Sequence, residues 1–405
     1  MAVTFPRGFR AGTAACGIKA FTAGATAIPS DQTDDLCVIA TERICDAGAT
    51  FTTNRVKSAT IVIDQLHLRQ NRVQALVINS GNANACTGAQ GYRDALQMAK
   101  LTADRLDLDP PQVLVSSTGV IGRYLPMEAI KAGIAAACAA LTDENGEAAA
   151  RAIMTTDRVP KTAAGTADVG GATIRIGGMC KGAGMIHPNM ATMLAFVTTD
   201  AAVEPGFMAS VAKRVADRSF NQVTVDGDSS TNDTFVLLAN GATANRPVAA
   251  GTPDGEALES CITDVARELA RAIARDGEGA TKLLTVRVTG APDQEQAQIA
   301  ARAVARSNLV KSAIHGGDPN WGRIVCALGY SGAELALDRL RLNVGGLTVF
   351  TFGAGVKVDL DAVRTAFDKP EIEIEADLGL GEASSEAWGC DLSEEYVRIN
   401  AEYTT

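Results

Sequence analysis

The sequence has few aromatic residues, few histidines and no concentrated block of positive charge. Aromatic residues make up 4% of its 405 residues, and the formal net charge is −10 at neutral pH. Without a cluster of Lys and Arg, the chain offers nothing that could follow a phosphate backbone, so nucleic acid and acidic membrane surfaces are poor candidates as partners. No apolar run reaches the ~20 residues that a membrane span needs, and the N-terminal segment has no apolar core of signal-peptide length. We therefore expect a cytoplasmic protein with no membrane partner.

The cysteines and histidines form no ligand pattern. Nine cysteines are scattered without a C-x-x-C pair, as expected of reduced thiols in a cytosol. The three histidines, His67, His187 and His315, are not paired at helical spacing, so we expect no zinc site and no metal. The length and an apolar content of 46% indicate a folded protein of two or three domains with a substantial core.

Two motifs suggest ligands but fit them poorly. The segment "GGMCKGAGM" has the glycines and lysine of a phosphate loop but lacks the G-K-[ST] order, so nucleotide binding is disfavoured. The segment "DGDSSTND" brings Asp226, Asp228 and Asp233 close together. It lacks the ligand spacing of an EF-hand and the closing Glu, which favours a hydrogen-bonded turn near a site over a calcium site.

Alternating and continuous apolar runs predict strands in the first part of the chain. The runs "LCVIATER" and "ATIVIDQL" lie within residues 36–66, and "VQALVINSGNANACTG" passes from a buried strand into a loop of Asn, Gly and Ala. The segment "VLVSSTGVIG" repeats this pattern from Val113 to Gly122. Such loops bring backbone amides close to a small ligand.

Apolar spacing predicts two helices further along the chain. An alanine-rich helix is expected from about Pro126 to Leu141. A second helix carries apolar residues at intervals of four, three, four and four from Leu258 to Ile273. A strand, "LLTVRV", follows it, and we place a domain boundary near Thr285. Strands and long helices without a regular βαβ rhythm favour an α+β layered architecture.

Thr192 is the one polar residue in the apolar run from Met190 to Val197, which is typical of a strand buried on both faces. A buried hydroxyl without a partner costs about 1–3 kcal/mol, so it needs one. The simplest interpretation is a β-branched strand residue that bonds a nearby carbonyl. A second interpretation is a nucleophile. Cleavage between Ala191 and Thr192 would give Thr192 a free α-amino group, whose pKa of about 7.7–8.0 suits a general base.

The segment "MCKGAGMIHPNMATMLAFVTTD" resembles the self-cleaving segment of the ornithine acetyltransferase family, the bifunctional glutamate N-acetyltransferases of arginine biosynthesis. Further blocks resemble that family in order along essentially the whole chain. They are "GFRAGTAACGIK", "INSGNANACTG", "SSTGVIG", "MTTD", "TVDGDSSTNDT", "RDGEGATK", "KSAIHGGDPNWGRI" and "YVRINAEYTT". The resemblance implies a layered αββα sandwich of the self-cleaving N-terminal-nucleophile kind at residues 1–284. It also implies a smaller α/β domain at residues 285–405, whose C-terminal tail returns to the site.

The resemblance also implies roles for individual residues. Thr192 matches the nucleophile of both self-cleavage and acetyl transfer, and Thr118 and Gly119 match the oxyanion hole. Taken alone, "STG" could be an ordinary turn. Contacts to substrate are implied for Thr155, Lys181, Thr192, Glu278, Asn400 and Thr405. Thr156 is an alternative to Thr155, Lys181 could be a solvated loop cation, and Glu278 could be a surface residue after a helix.

The implied activity is acetyl transfer from N2-acetylornithine to glutamate through an acetyl-Thr192 intermediate, without a cofactor. Acetyl-CoA is a further candidate donor. The precursor would divide into an α chain, residues 1–191, and a β chain, residues 192–405, which the resemblance assembles as α2β2. Two other classes remain open: a self-cleaving aminopeptidase or amidohydrolase with the same nucleophile, and a scaffold that neither cleaves itself nor catalyses a reaction.

Overall fold

The computed structural model describes residues 2–19, 33–187 and 193–402. Within these residues the strands form an eight-stranded and a six-stranded sheet. The first contains β1 (Phe9–Ala14), β2 (Leu36–Phe51), β3 (Val73–Asn82), β4 (Val113–Val120), β5 (Lys161–Val169), β6 (Ala172–Lys181), β7 (Leu194–Thr199) and β8 (Thr234–Ala239). The second contains β9 (Leu283–Ala291), β10 (Arg341–Val344), β11 (Leu347–Thr351), β12 (Ala354–Gly355), β13 (Glu371–Asp377) and β14 (Ala383–Cys390).

The helices of the described residues lie between these strands. They are α1 (Ala59–His67), α2 (Gly88–Leu106), α3 (Met127–Ala139), α4 (Gly146–Ala152), α5 (Phe207–Asp217), α6 (Pro253–Arg275), α7 (Gln294–Arg306), α8 (Asn308–His315), α9 (Trp321–Gly329), α10 (Leu360–Phe367) and α11 (Glu394–Glu402). Short 3-10 turns occur at Leu68–Gln70, Pro110–Gln112 and Phe220–Gln222. No helix of the described part of the chain is both long and apolar enough to cross a membrane.

The first sheet is folded over into two packed halves. Its 16-residue strand β2 belongs to both, because its first part pairs with β1 and β3 and its second part pairs with β8. The pairing of β2 with β3 is irregular between Ala40 and Cys45, where β2 leaves the first half. Side chains of the two halves meet in one buried cluster that includes Ile39, Ile78 and Phe196.

Helices cover the outer face of each half. Alternate residues of β2 and β3, such as Val38 and Val77, pack with α2 and α3, while residues such as Val197 and Phe235 pack with α5 and α6. Strands covered on both faces must be apolar on both faces, as β3 and β7 are. The layers therefore run helix, sheet, sheet, helix, and the predicted α+β sandwich of the αββα type is confirmed.

The second sheet begins at Leu283, two residues before the predicted boundary near Thr285. Its order is β12-β11-β10-β13-β9-β14, and its core includes residues of α7, α8, α9 and α10. Trp388 and Cys390 of β14 and Leu283 of β9 also belong to the buried cluster of the first sheet. The division into domains at residues 1–284 and 285–405 stays a prediction.

Most of the predicted elements are present, but one was assigned to the wrong class. The helix expected from Pro126 to Leu141 is α3, and the helix expected around Leu258 is α6. The run "ATIVIDQL" was expected to be a strand and instead forms α1, because the buried side chains of Thr60, Ile63 and His67 recur at helical spacing.

Candidate active site

A cavity of about 270 Å³ opens where the carboxyl ends of β4 and β6 meet neighbouring loops and helix α11. Its lining includes most of the site residues that the resemblance implied. These are Thr118, Gly119, Thr155, Lys181, Glu278 and Asn400, together with Thr156, the alternative to Thr155. The cavity puts groups from distant parts of the chain within reach of one small ligand.

Gly119 gives the cavity a corner that no other residue could form. Thr118 and Gly119 lie near the end of β4, which runs parallel to β3 with Thr118 opposite Ser80 and Gly119 opposite Gly81. Gly119 has φ +132°, and a Cβ on it would lie 2.2 Å from the carbonyl carbon of Gly81. The strand can make this turn only because glycine tolerates both the positive φ and the close approach.

The neighbouring Asn232 supports this corner with its side-chain amide. It donates hydrogen bonds to the carbonyl oxygens of Ala83 at 2.6 Å and Ser117 at 2.7 Å. These bonds connect the chain after β3 to the end of β4, so they fix the backbone just before Thr118 relative to the chain after β3.

Lys181 is a buried cation that faces Thr118. Its Nζ donates to Thr118 Oγ1 at 3.3 Å, and both residues are buried. Because an ammonium can only donate, the Thr118 hydroxyl accepts this bond and keeps its own hydrogen for another acceptor. Burial lowers the pKa of Lys181, while the nearby carboxylates of Asp157 and Glu278 oppose that shift. An anion in the cavity would therefore meet a desolvated positive charge and a hydroxyl donor.

Asp157 connects the loop that carries Thr155 to the buried charges. One carboxylate oxygen accepts from Lys161 Nζ at 2.6 Å and from the Gly182 N–H at 2.7 Å, and the other accepts from the Thr155 N–H at 3.0 Å. Burial favours its neutral form, but the charges of Lys161 and Lys181 prevail and lower the pKa of Asp157. The backbone at Thr155 is therefore fixed relative to the end of β6.

Lys161 has a second carboxylate partner behind the cavity. Its Nζ also donates to Asp276 at 2.6 Å, and its side chain is only 1% exposed. Although burial disfavours the ammonium, the two aspartates raise the pKa of Lys161. The ion pairs thus link the loop before β5 to the loop that carries Glu278.

Glu278 lies between the chain after β6 and the C-terminal helix. Its carboxylate accepts from Asn400 Nδ2 at 2.8 Å, and its backbone N–H donates to Ala183 at 2.8 Å. A Cβ on Gly184 would lie 2.4 Å from that carboxylate, so the glycine makes room for it. Asn400 belongs to α11, and the last described turns of the chain therefore border the cavity.

The segment from Asp226 to Asn232 forms one wall of the cavity. The Asp226 carboxylate accepts from the N–H groups of Met185 at 2.6 Å and Ile186 at 2.9 Å, and from the Tyr396 hydroxyl at 3.3 Å. The carboxylate thus stabilises a turn, which is the interpretation that the sequence favours for this segment.

The described residues contain no group of three or more His, Cys, Asp or Glu side chains placed to hold a metal ion.

Three predicted site residues, Ala191, Thr192 and Thr405, lie outside the described residues. The chain just after Thr192 is described: Leu194 starts β7 opposite Lys181, and the Met193 N–H donates to Asp233 Oδ1 at 3.1 Å. This hydrogen bond therefore fixes where the chain enters β7, at the same end of the sheet as Lys181.

The sequence gives no individual role to two groups that support the site. Asp157 and Asn232 fall within the blocks "MTTD" and "TVDGDSSTNDT", and the resemblance attaches no function to them. The only local signal was a polar residue within or beside a buried strand. Tyr396, on the C-terminal helix, falls within the block "YVRINAEYTT", and the resemblance attaches no function to it either.

Comparison with known proteins identifies the family. The model of the ArgJ family matches residues 10–405. The arginine biosynthesis bifunctional protein ArgJ of Symbiobacterium thermophilum is 49% identical over 403 residues, covering 100% of this chain and 98% of that protein. Its counterpart in Dehalococcoides mccartyi is 44% identical over 403 residues, with coverage of 100% and 97%.

A solved structure agrees with these relatives. The crystal structure of the arginine biosynthesis bifunctional protein argJ from Bacillus halodurans is 39% identical with a TM-score of 0.50, and the match covers 51% of this chain and 98% of that chain. Since the family model and the relatives extend over nearly all 405 residues, the chain belongs to the ArgJ family.

Proposed function

We propose that this enzyme of arginine biosynthesis cleaves its own chain between Ala191 and Thr192 and then moves an acetyl group from N2-acetylornithine to glutamate. In the first half-reaction the Thr192 hydroxyl attacks the acetyl carbonyl, ornithine leaves, and an acetyl ester remains on Thr192. In the second, the α-nitrogen of glutamate attacks that ester, and N-acetylglutamate leaves. The acetyl group is thus passed on without hydrolysis.

The arrangement of Thr118, Gly119 and Lys181 is the observation that carries this proposal. A tetrahedral intermediate carries a negative oxygen, which needs donors fixed in advance. The Thr118 hydroxyl is free to donate because Lys181 already occupies its acceptor side at 3.3 Å. The Gly119 N–H is the second donor that we assign. Both lie in the cavity, at the end of the sheet where β7 begins two residues after Thr192.

The base is the α-amino group that self-cleavage creates. Threonine is a poor nucleophile unless a neighbouring group takes its proton. None of the described residues that line the cavity is a histidine. A free α-amino group has an ordinary pKa of about 7.7–8.0, which is close to a working pH near neutrality. We assign it to take the hydroxyl proton during attack and to return it to the leaving nitrogen.

The charges around the cavity suit the α-carboxylate that both amino acids carry and the cationic side chain of ornithine. N-acetylornithine and glutamate share an α-carboxylate, which we assign to Lys181 and the Thr155 segment. The cationic side chain of ornithine then faces carboxylates, of which Glu278 and Asp228 line the cavity. The volume of about 270 Å³ is below the range of pockets for drug-sized ligands and is adequate for an amino-acid derivative. Asn400 and, in the tail, Thr405 complete the proposed contacts.

The length of the solved relative from Bacillus halodurans supports division of the precursor. Nearly all of that chain, 98%, matches only 51% of this one, so it is about half as long. Chains of residues 1–191 and 192–405 would each be close to that length.

Two further parts of the proposal rest on the family resemblance: assembly as α2β2 in the cytoplasm, and acetyl-CoA as a second acetyl donor.

Mass spectrometry of the intact protein tests self-cleavage. Wild-type protein should give two chains of about 20 and about 22 kDa, from 42.0 kDa divided in the ratio 191 to 214, and the larger should begin with Thr192. Thr192→Ala should give a single chain of 42.0 kDa. A single intact chain from active wild-type protein would contradict the proposal, because no free α-amine would then exist.

The dependence on glutamate distinguishes transfer from hydrolysis. Release of ornithine from N-acetylornithine should stop after one turnover without glutamate and continue when glutamate is added. If ornithine release continues at the same rate without glutamate, the protein is an amidohydrolase with the same nucleophile. Labelled acetyl-CoA with glutamate alone tests the second donor, since label in N-acetylglutamate requires that acetyl-CoA be used.

A further inference from the structure

We propose that Arg302 and Arg306, near the end of α7, bind the phosphate group of a small ligand. Their side chains line a cavity of about 180 Å³ together with His187, Tyr330 and Ser331. This cavity shares no lining residue with the candidate active site. The inference is therefore independent of self-cleavage and of the identity of the nucleophile.

The two guanidinium groups have no negative partner among the described residues. Arg302 and Arg306 are four residues apart, so helical geometry places them on one face of α7. Neither forms an ion pair or a hydrogen bond with a residue that the structure describes. Burial lowers the pKa of the partly buried Arg302, and the charges of Asp217 and Glu295 oppose that shift from beyond ion-pair distance. Two positive charges thus share one cavity, which is an arrangement that an anion would stabilise.

Helix α6 provides a comparison within the same chain. It also has two arginines four residues apart at its end, Arg271 and Arg275, and both form ion pairs with the carboxylate of Glu371. The same spacing at the same place in a helix therefore has a carboxylate partner on α6. On α7 it faces a cavity instead.

His187 adds a neutral donor to the two charges. Its Nδ1 shares a hydrogen bond with Thr224 Oγ1 at 3.3 Å, and when Nδ1 accepts this bond, Nε2 carries the hydrogen and can donate to an anion. Burial, together with the charges of Arg306 and Arg302, lowers the pKa of His187 to about 4, so the ring is neutral at pH 7. The influence of both arginines on this ring indicates that the three groups lie close together.

The charge and the size of the cavity favour phosphate. A phosphate monoester carries a charge of about −1.5 to −2 at pH 7 and three acceptor oxygens, which match two guanidinium groups, whereas one carboxylate would neutralise only one of them. Guanidinium groups also bind phosphate oxygens in pairs. The cavity is smaller than the candidate active site, at about 180 against about 270 Å³, which suits a single phosphate group. Free orthophosphate and a larger ligand that bears a phosphate group are the two sources of this chemistry.

The phosphate site lies behind one wall of the candidate active site. A Cβ on Gly227 would lie 3.7 Å from Cγ and Cδ of Arg306, and the residues on either side of this glycine, Asp226 and Asp228, line the catalytic cavity. Acetyl-CoA carries its phosphate groups at the end away from its acetyl group, so a phosphate site next to the catalytic cavity suits such a donor. Of the two sources, only acetyl-CoA rests on the proposed function.

Isothermal titration calorimetry of the purified enzyme tests the site, with inorganic phosphate and coenzyme A as probes at constant ionic strength. The double variant Arg302→Gln/Arg306→Gln removes both charges and keeps polar side chains. Its affinity for phosphate should fall about tenfold or more, because charge-assisted hydrogen bonds are lost. The matched control is Arg271→Gln/Arg275→Gln, which changes the net charge by the same amount on α6 and should bind phosphate as wild type does.

Three results would overturn the inference. They are a wild-type enzyme that binds neither probe, a double variant of α7 that binds both probes as tightly as wild type, and a control variant that loses as much affinity as the α7 variant. Each result would leave the proposed function intact. Conversely, an enzyme that binds phosphate at α7 but transfers no acetyl group from acetyl-CoA to glutamate would contradict only the second donor.

Coenzyme A distinguishes the two sources of phosphate. If the ligand is a larger molecule of this kind, coenzyme A should bind at least tenfold more tightly than inorganic phosphate, and Arg302→Gln/Arg306→Gln should remove that advantage. If the ligand is free phosphate, coenzyme A should bind no more tightly than inorganic phosphate. Both results support a phosphate site at α7.

Histidine side-chain signals in nuclear magnetic resonance locate the bound anion in the wild-type enzyme. The chain has only three histidines, so their signals can be assigned individually. Saturating phosphate should shift the ring signals of His187 and leave those of His67, on α1, unchanged. An unchanged His187 signal would overturn the inference even if the double variant of α7 does not fold.

Discussion

Replacing Thr118 by valine removes one hydroxyl from the proposed oxyanion hole and nearly preserves the shape of the side chain. The hydroxyl accepts from Lys181 at 3.3 Å, which leaves its own hydrogen available to donate. Loss of one donor of this kind typically costs about 2.7–4 kcal/mol of transition-state stabilisation, a factor of about 10² to 10³ in kcat. We expect Thr118→Val to fall in this range.

The same substitution also removes the hydrogen-bond acceptor of a buried ammonium. Leaving a buried donor unsatisfied typically costs about 1–3 kcal/mol, so the free energy of unfolding should fall by an amount in that range. Lys181 keeps the nearby charges of Asp157 and Glu278, which limits the loss. Thermal unfolding followed by circular dichroism measures this effect separately from catalysis.

Thr118→Ser is the matched control, because it keeps the hydroxyl and removes only a methyl group. The assay follows ornithine release from N-acetylornithine at saturating glutamate, with kcat and KM determined for each variant. We expect the serine variant to stay within about tenfold of wild type, since the donor remains. A valine variant with kcat close to that of the serine variant would refute the role assigned to the hydroxyl.

Two other substitutions test the remaining walls of the cavity. Gly184→Ala would put a methyl group 2.4 Å from the carboxylate of Glu278, so KM for N-acetylornithine should rise severalfold. The control is Gly329→Ala, whose added methyl group meets no atom within 4 Å, and it should leave KM unchanged. Asp157→Asn should lower the free energy of unfolding by about 3 kcal/mol, because it breaks a buried ion pair with Lys161. The pKa of Asp157 is lowered in the folded protein, so its stabilising effect is present above its unfolded-state pKa of about 3.9 and is lost as pH falls towards the folded value. Acid unfolding of this variant should therefore depend less on pH than that of wild type, and an identical pH dependence would contradict the assignment.

Much of the fold could be predicted where the apolar pattern is long. The spacing from Leu258 to Ile273 can be satisfied only by a helix, and α6 is that helix. The nine-residue α1 was mistaken for a strand, because "ATIVIDQL" is rich in β-branched residues and too short for its period to be decisive. Its helical spacing becomes visible only once the buried face is known.

The candidate site could be predicted residue by residue only through family resemblance. Thr118, Lys181 and Glu278 lie far apart in sequence. The register of β4 on β3 places Thr118, the register of β6 on β7 places Lys181, and the hydrogen bond from the Glu278 N–H to Ala183 places Glu278. Local patterns do not fix such registers. The buried ion pairs of Asp157 and Lys161 were missed for the same reason, since each charge is explained only by a partner that folding brings to it.

The acetyl-enzyme is the most direct test of the central claim. Purified wild-type enzyme is incubated with N-acetylornithine without glutamate, and its separated chains are weighed by intact-mass spectrometry. The chain that begins at Thr192 should gain the mass of one acetyl group, and peptide mapping should assign that group to Thr192. Added glutamate should remove it and release N-acetylglutamate. If ornithine and N-acetylglutamate form at full rate while neither chain gains mass or the acetyl group lies elsewhere, Thr192 does not carry the acetyl group.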